Sequence, residues 1–148
     1  MSEQQIEQVL REKYARYLNL QQTIQAYRLL HETNRKRLEE LMVTIDALEK
    51  IKNRSIKDLE GFIALGPGVF IFVRGTIGKK ILVNVGANVG VYMSIDDAIS
   101  ELREREKNLR GSLEKIAKTI DDLIKVAVEL EREIVSLQNY LREKKKIM

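Results

Sequence analysis

Few side chains in this sequence could do chemistry, and their spacing argues against most reactions. There is no cysteine, which removes a thiolate nucleophile, a thiolate metal site and a disulfide framework together. The one histidine, His31, has no neighbouring cysteine and reads as a polar interruption of a helix. Gly75-Thr-Ile-Gly78-Lys79-Lys80 lacks both the spacing and the hydroxyl of a phosphate-binding Gly-x-x-x-x-Gly-Lys-Ser/Thr loop. Gly66-Pro67-Gly68 lacks the third glycine of a dinucleotide fingerprint and opens a strand pattern rather than a helix. The many carboxylates flank apolar helix positions, with no sign of a pair in a pocket. No catalytic, cofactor-binding or metal-ligating residue is assigned, and the chain is expected not to be an enzyme. Arg35-Lys36-Arg37 and Lys144-Lys145-Lys146 are short basic runs, diluted by Glu32, Glu39, Glu40 and Glu143 within a net charge of +4. A charged helix surface accounts for them, so no nucleic-acid partner is expected.

The elements that carry these residues are plainer than the chemistry. The 148-residue chain is 44% hydrophobic and 32% charged but only 5% aromatic, a composition of long helices rather than of a thick globular core. The N-terminus has neither a basic start nor an apolar stretch, so no signal peptide is expected. The longest apolar run, Val69 to Val73, is far too short to span a membrane. A cytoplasmic setting and no membrane partner follow as expectations.

Apolar residues recur at alternating steps of four and three in two segments. The first seam is Ile6, Leu10, Lys13, Tyr17, Leu20, Ile24, Tyr27, His31, Asn34, Leu38, Leu41, Ile45 and Leu48. The second is Ile95, Ile99, Leu102, Glu106, Leu109, Leu113, Ile116, Ile120, Leu123, Ala127, Leu130, Ile134, Leu137 and Leu141. A repeat of 3.5 sustained this long predicts a left-handed coiled coil. Each segment is about 47 residues, or roughly 70 Å of helix at 1.5 Å per residue. Equal lengths and a compact connector favour an antiparallel hairpin of helices. If Leu48 faces Ile99, then Ile45 faces Leu102, Leu38 faces Leu109, Ile24 faces Leu123 and Ile6 faces Leu141. Asn34, opposite Leu113 in that register, is a candidate register-fixing polar residue, while Lys13 and Glu106 can snorkel out of the seam.

The middle holds seven of the eight glycines, the one proline and all three phenylalanines. Gly61 to Leu65, a Gly66-Pro67-Gly68 turn and Val69 to Arg74 predict one hairpin. After Gly78-Lys79, Lys80 to Val85, a break at Gly86-Ala87-Asn88 and Val89 to Met93 predict a second. Ile81, Val83 and Val85 alternate on one side of the first of these strands, and Val89, Val91 and Met93 alternate again in the second. Ser94-Ile-Asp-Asp97 resembles a helix start with two acids in the first turn. Four short strands with this much apolar surface predict association. The assembly candidates are Phe62, Ile63, Leu65, Val69, Phe70, Ile71, Phe72, Val73, Ile81, Val83, Val85, Val89 and Val91.

Gly61-Phe-Ile-Ala-Leu-Gly-Pro-Gly-Val-Phe70 and Ile81-Leu-Val-Asn-Val-Gly-Ala-Asn-Val-Gly-Val-Tyr-Met-Ser-Ile-Asp-Asp-Ala-Ile99 resemble the two hairpins and the second-helix start of archaeal-type alpha-class prefoldin subunits. Order, spacing and length match over essentially the whole chain. Two hairpins rather than one point to the alpha class over the beta class. The resemblance implies an α+β fold and a single domain over 1–148. A coiled-coil helix at 6–53 and another at 95–143 would flank a hairpin region at 60–93 that closes into β-barrels on assembly. It also implies a hexamer of two alpha-class and four beta-class subunits that captures unfolded polypeptides without ATP and delivers them to a group II chaperonin. A structural or filament-forming scaffold without client transfer is the alternative.

Client capture needs apolar surface that the seam does not consume. In the register above Val128 and Val135 fall at outward b positions and Leu29 at an outward f position. Val9, Tyr14 and Tyr140 lie beside the seam near the chain ends. With Leu10, Leu137 and Leu141 at the seam's end, and Ile147 and Met148 beyond it, these form the candidate client-binding tip.

Overall fold

A computed structural model describes Met1–Ile147 of the chain. The element order is α1 (Glu3–Asn53), β1 (Asp58–Gly66), β2 (Val69–Thr76), β3 (Lys80–Gly86), β4 (Val89–Ser94) and α2 (Ile95–Ile147). The chain divides into two compact units, one of Met1–Lys36 with Gly111 onward and the other of Arg37–Arg110. The tip candidate Met148 lies outside the described residues.

Both helices begin where local hydrogen bonds satisfy their free N–H groups. Ser2 Oγ accepts from the Gln5 N–H at 3.3 Å, and Gln5 Oε1 accepts from the Ser2 N–H at 2.9 Å, a reciprocal capping box. It starts α1 three residues before the first seam position. Ser94 Oγ accepts from the Asp97 N–H at 3.1 Å, and Asp96 and Asp97 complement the dipole in the first turn of α2. At the other end of α1, Ser55 takes a positive φ of 50° and the Ile56 N–H reaches back to the Ile51 carbonyl at 3.1 Å, closing the helix. The basic tail has a local role as well. Lys144, Lys145 and Lys146 occupy the last turn of α2, where positive charge meets the negative end of the dipole.

The two helices cover each other's stripe. Every seam position read from the heptads is buried or half-buried, including Lys13, His31 and Glu106. Ile6, Ile24, Asn34, Leu38, Ile45, Leu102, Ala127, Leu130, Ile134 and Leu141 are the buried seam members. Within the first unit Lys13 pairs with Glu133, and Lys145 lies 3.8 Å from Glu3 and 3.9 Å from Glu7. Within the second, Lys52 pairs with Asp96 and Arg103 with Glu49. Rising numbers on one helix meet falling numbers on the other in each unit, so the pairing is antiparallel, within about a turn of the expected register. Two helices cannot surround a residue completely, and among the described residues no large side chain falls below 2% exposure.

The strands form two separate antiparallel pairs, β1 with β2 and β3 with β4. The expected barrel is therefore not closed by one chain: each hairpin keeps two unpaired edges. Pro67-Gly68, with φ +73° at Gly68, turns the first hairpin with proline leading and glycine in the left-handed region. Ala87 and Asn88, at φ 50° and 60°, turn the second in the doubly left-handed manner that suits strand twist. Gly78 lies between the hairpins rather than inside one.

Gly111 sits inside α2 with nothing within 4 Å of where a Cβ would project. Gly111→Ala is expected to raise stability by about 1 kcal/mol through helix propensity alone, and Leu130→Ala to lower it by about 2–3 kcal/mol, near the low end for core truncation because the core is thin. Chemical denaturation followed by circular dichroism checks both signs.

Candidate functional site

Two surfaces remain apolar after the seam is closed, one in each unit. In the first unit the exposed apolar side chains lie outside the a and d positions. Tyr14 follows Leu10 and precedes Leu18 at steps of four, one face of α1. Together with Arg11, Ala15 and Gln138 they line a shallow groove of about 420 Å³. On α2, Val128 and Val135 are a heptad apart and line a second depression with Glu131, Arg132 and Ser136. Val126 and Tyr140 are exposed on the flank of α2, and Tyr140 carries the Lys144 ammonium 5.9 Å from its ring centre.

Of the expected tip residues, Tyr14, Val128, Val135, Tyr140 and Ile147 are exposed, while Val9, Leu10 and Leu137 are half-buried. Leu141 is a correction: it is 8% exposed because its a position turns it into the seam, so it presents no surface. Leu29 is exposed, as its f position requires. Sequence reasoning missed Leu18, Leu30 and Val126, all exposed. The signal was there for Leu18, a b-position leucine one turn beyond Tyr14, and for Leu30 and Val126, which flank the seam.

In the second unit the hairpins expose Phe62, Ile63, Leu65, Val69, Phe70, Ile71, Phe72, Val85, Val89 and Val91, with Val73 and Ile81 half-buried. Phe62 and Phe72 pair across the first hairpin with ring centres 5.4 Å apart, edge to face. Arg74 stacks over Phe72 at 5.7 Å and bonds Glu60 at 3.0 Å, which orders that face without covering it. Val83 is the second correction. It is 7% exposed, and Ile81 and Met93 beside it are half-buried, so this end of the face is turned into the chain itself while Val85 and Val91 on the same face stay exposed. The opposite face, Leu82 paired with Tyr92, is 60% and 67% exposed and was not among the expected assembly residues. Gly90 lies under Leu82: a Cβ there would come within 2.8 Å of Leu82 Cδ1.

The electrostatics resemble those of a solvated surface. The Arg35 guanidinium beside Glu32 holds that carboxyl below the usual carboxylate range, on a solvent-exposed helix face. Among the described residues no cluster of three His, Cys, Asp or Glu could hold a metal ion, and no helix is long and apolar enough to cross a membrane.

The family model for prefoldin subunits matches residues 20–140. The chain is similar to prefoldin subunit alpha of Archaeoglobus fulgidus, 28% identical over 119 residues, which cover 80% of this chain and 81% of that one. It is similar to prefoldin subunit alpha of Methanosarcina acetivorans, 26% identical over 137 residues, covering 90% and 96%. Among solved structures, a filamentous PFD from Methanocaldococcus jannaschii aligns with a TM-score of 0.54 at 19% identity, over 76% of this chain and 98% of that one. At that identity the likeness is one of fold.

Replacing Tyr14, Leu18, Val128 and Val135 by serine is expected to cut binding of an apolar-surface fluorescent dye severalfold. The unfolding free energy should move by no more than about 0.5 kcal/mol per site, the usual range for surface positions. Leu141→Ser should do the reverse, unfolding the pair before it changes dye binding in the folded state.

Proposed function

The chain belongs to the prefoldin family, a family of chaperone-type subunits, and on that premise we propose that it is an alpha-class subunit of an ATP-independent holdase. One observation carries the reading. The seam already buries its own stripe, yet Tyr14, Leu18, Leu29, Val126, Val128, Val135 and Tyr140 remain exposed on the same helix pair. Surface of this kind has no further use in holding the two helices together. Apolar side chains scattered among Arg11, Glu131 and Arg132 suit weak, multivalent contact with an unfolded chain. Affinity then comes from many small contacts rather than from a shaped pocket.

In this reading the open hairpins recruit beta-class subunits, two alpha with four beta, and the unpaired strand edges close into barrels. The exposed phenylalanines of the first hairpin and the Leu82–Tyr92 face of the second supply apolar area for that closure. The clients are unfolded polypeptides in the cytoplasm, passed on to a group II chaperonin. No step consumes nucleotide, because release follows from competition for weak contacts rather than from a driven conformational change.

A second reading, a filament-forming scaffold without client transfer, draws support from the filamentous neighbour. Mass photometry separates the two: the holdase reading expects a closed complex when a beta-class subunit is added, the scaffold reading an open series of sizes from this chain alone.

The assembled protein is expected to suppress aggregation of chemically denatured citrate synthase equally with and without ATP. The four-serine variant at Tyr14, Leu18, Val128 and Val135 should lose most of that protection while keeping its assembly mass. Full protection by the variant, or a requirement for nucleotide, would contradict the holdase reading.

A further inference from the structure

The two hairpins are held in different ways. Arg105, on α2, donates from Nη2 to the main-chain carbonyl of Asn84 on β3 at 2.8 Å. Its Nε donates to Glu101 Oε1, one helical turn back, at 3.3 Å, so the guanidinium is gripped on one side while it reaches with the other. Asn84 is itself fixed, because its Oδ1 accepts from the Gly86 N–H at 2.8 Å, where the strand bulges into the Ala87-Asn88 turn. Beside this bond Val83 is buried and Ile81 and Met93 half-buried.

Among the described residues the first hairpin has no such bond to a helix. Its cross-strand bonds, the Arg74–Glu60 pair and the Ile77 N–H to Lys57 carbonyl bond at its base all stay within the hairpin and its flanks. Its apolar side chains are exposed on both faces, Val73 excepted.

We infer that Arg105 is a positioning residue that seats the second hairpin on α2 and presets its orientation before any partner arrives, while the first hairpin takes its orientation from the partner. A charged donor on a backbone carbonyl is strong enough for this and indifferent to the side chains of β3. The seated hairpin offers Leu82 and Tyr92 outward as a preformed face. The unseated one offers two apolar faces and two free edges, and can wrap. This rests on the proposed assembly through the hairpins and not on client holding.

Amide hydrogen exchange on the full-length chain, without partner, tests it. Arg105→Met keeps an apolar stem and removes the donor, and is expected to speed exchange across β3 and β4 about tenfold, the size of one hydrogen bond to a charged group. Exchange in β1, β2 and the helices should hold within twofold. Arg105→Lys, which keeps a charged donor, should stay within about threefold of the unaltered chain. Three results would overturn the assignment: unchanged exchange in Arg105→Met, equal acceleration of both hairpins, or Arg105→Lys exchanging as fast as Arg105→Met. Helix content by circular dichroism accompanies each variant. If Arg105→Met loses helix, Arg105→Lys and Glu101→Gln decide, the latter expected to speed β3–β4 exchange by two- to threefold and no other segment.

Discussion

Everything in this chain depends on one packing constraint: each long helix carries a stripe of leucine and isoleucine that only the other helix can cover. A fully buried leucine or isoleucine contributes roughly 1.5–3 kcal/mol, and a half-buried one proportionately less. A two-helix core has few of the first and many of the second, so stability accumulates along the length rather than at a centre. That explains why polar seam members such as Asn34, His31 and Glu106 are tolerated. Each weakens one layer, and neighbouring layers hold the register. It also explains why surface outside the seam is free for other work, since no further helix is needed to complete the core.

The seam was legible from the sequence because its period is redundant: a misread position is corrected by the heptads on either side. The first hairpin was legible for a similar reason, with Pro67-Gly68 marking the turn and phenylalanines marking the strands. The second hairpin was only half legible. Alternation shows that Ile81, Val83 and Val85 share a face, and cannot show which way that face is turned. Valines suggested an assembly face there, yet Val83 is buried within the chain and the larger Leu82 and Tyr92 face outward. The orientation is a tertiary matter: Arg105 on α2 bonds the Asn84 carbonyl, and a bond to a backbone carbonyl leaves no trace in the acceptor's side chain. Leu141 was misplaced for a simpler cause. It lies near the chain end, but its heptad position turns it into the seam.

Helix ends show the same difference between local and distant signals. Ser94 with Asp96 and Asp97 announced α2. The Ser2–Gln5 box announces α1 just as locally, but it precedes the first apolar seam residue. The lysines that close α2 had no evident role as a motif. Set on the last helical turn, they are dipole partners, and Lys145 also lies beside Glu3 and Glu7.

The central claim is a division of labour: the seam holds the helices, and the apolar residues outside it in the first unit hold clients. Site-specific photocrosslinking tests this most directly, with a benzophenone side chain at Leu18, Leu29 or Val128 on the outer face of the first unit and at Met42 as an exposed comparator in the second. The account predicts that a denatured, labelled client crosslinks to Leu18, Val128 and Leu29 and only weakly to Met42, without nucleotide. Equal crosslinking at all four positions, or at Met42 alone, would contradict it.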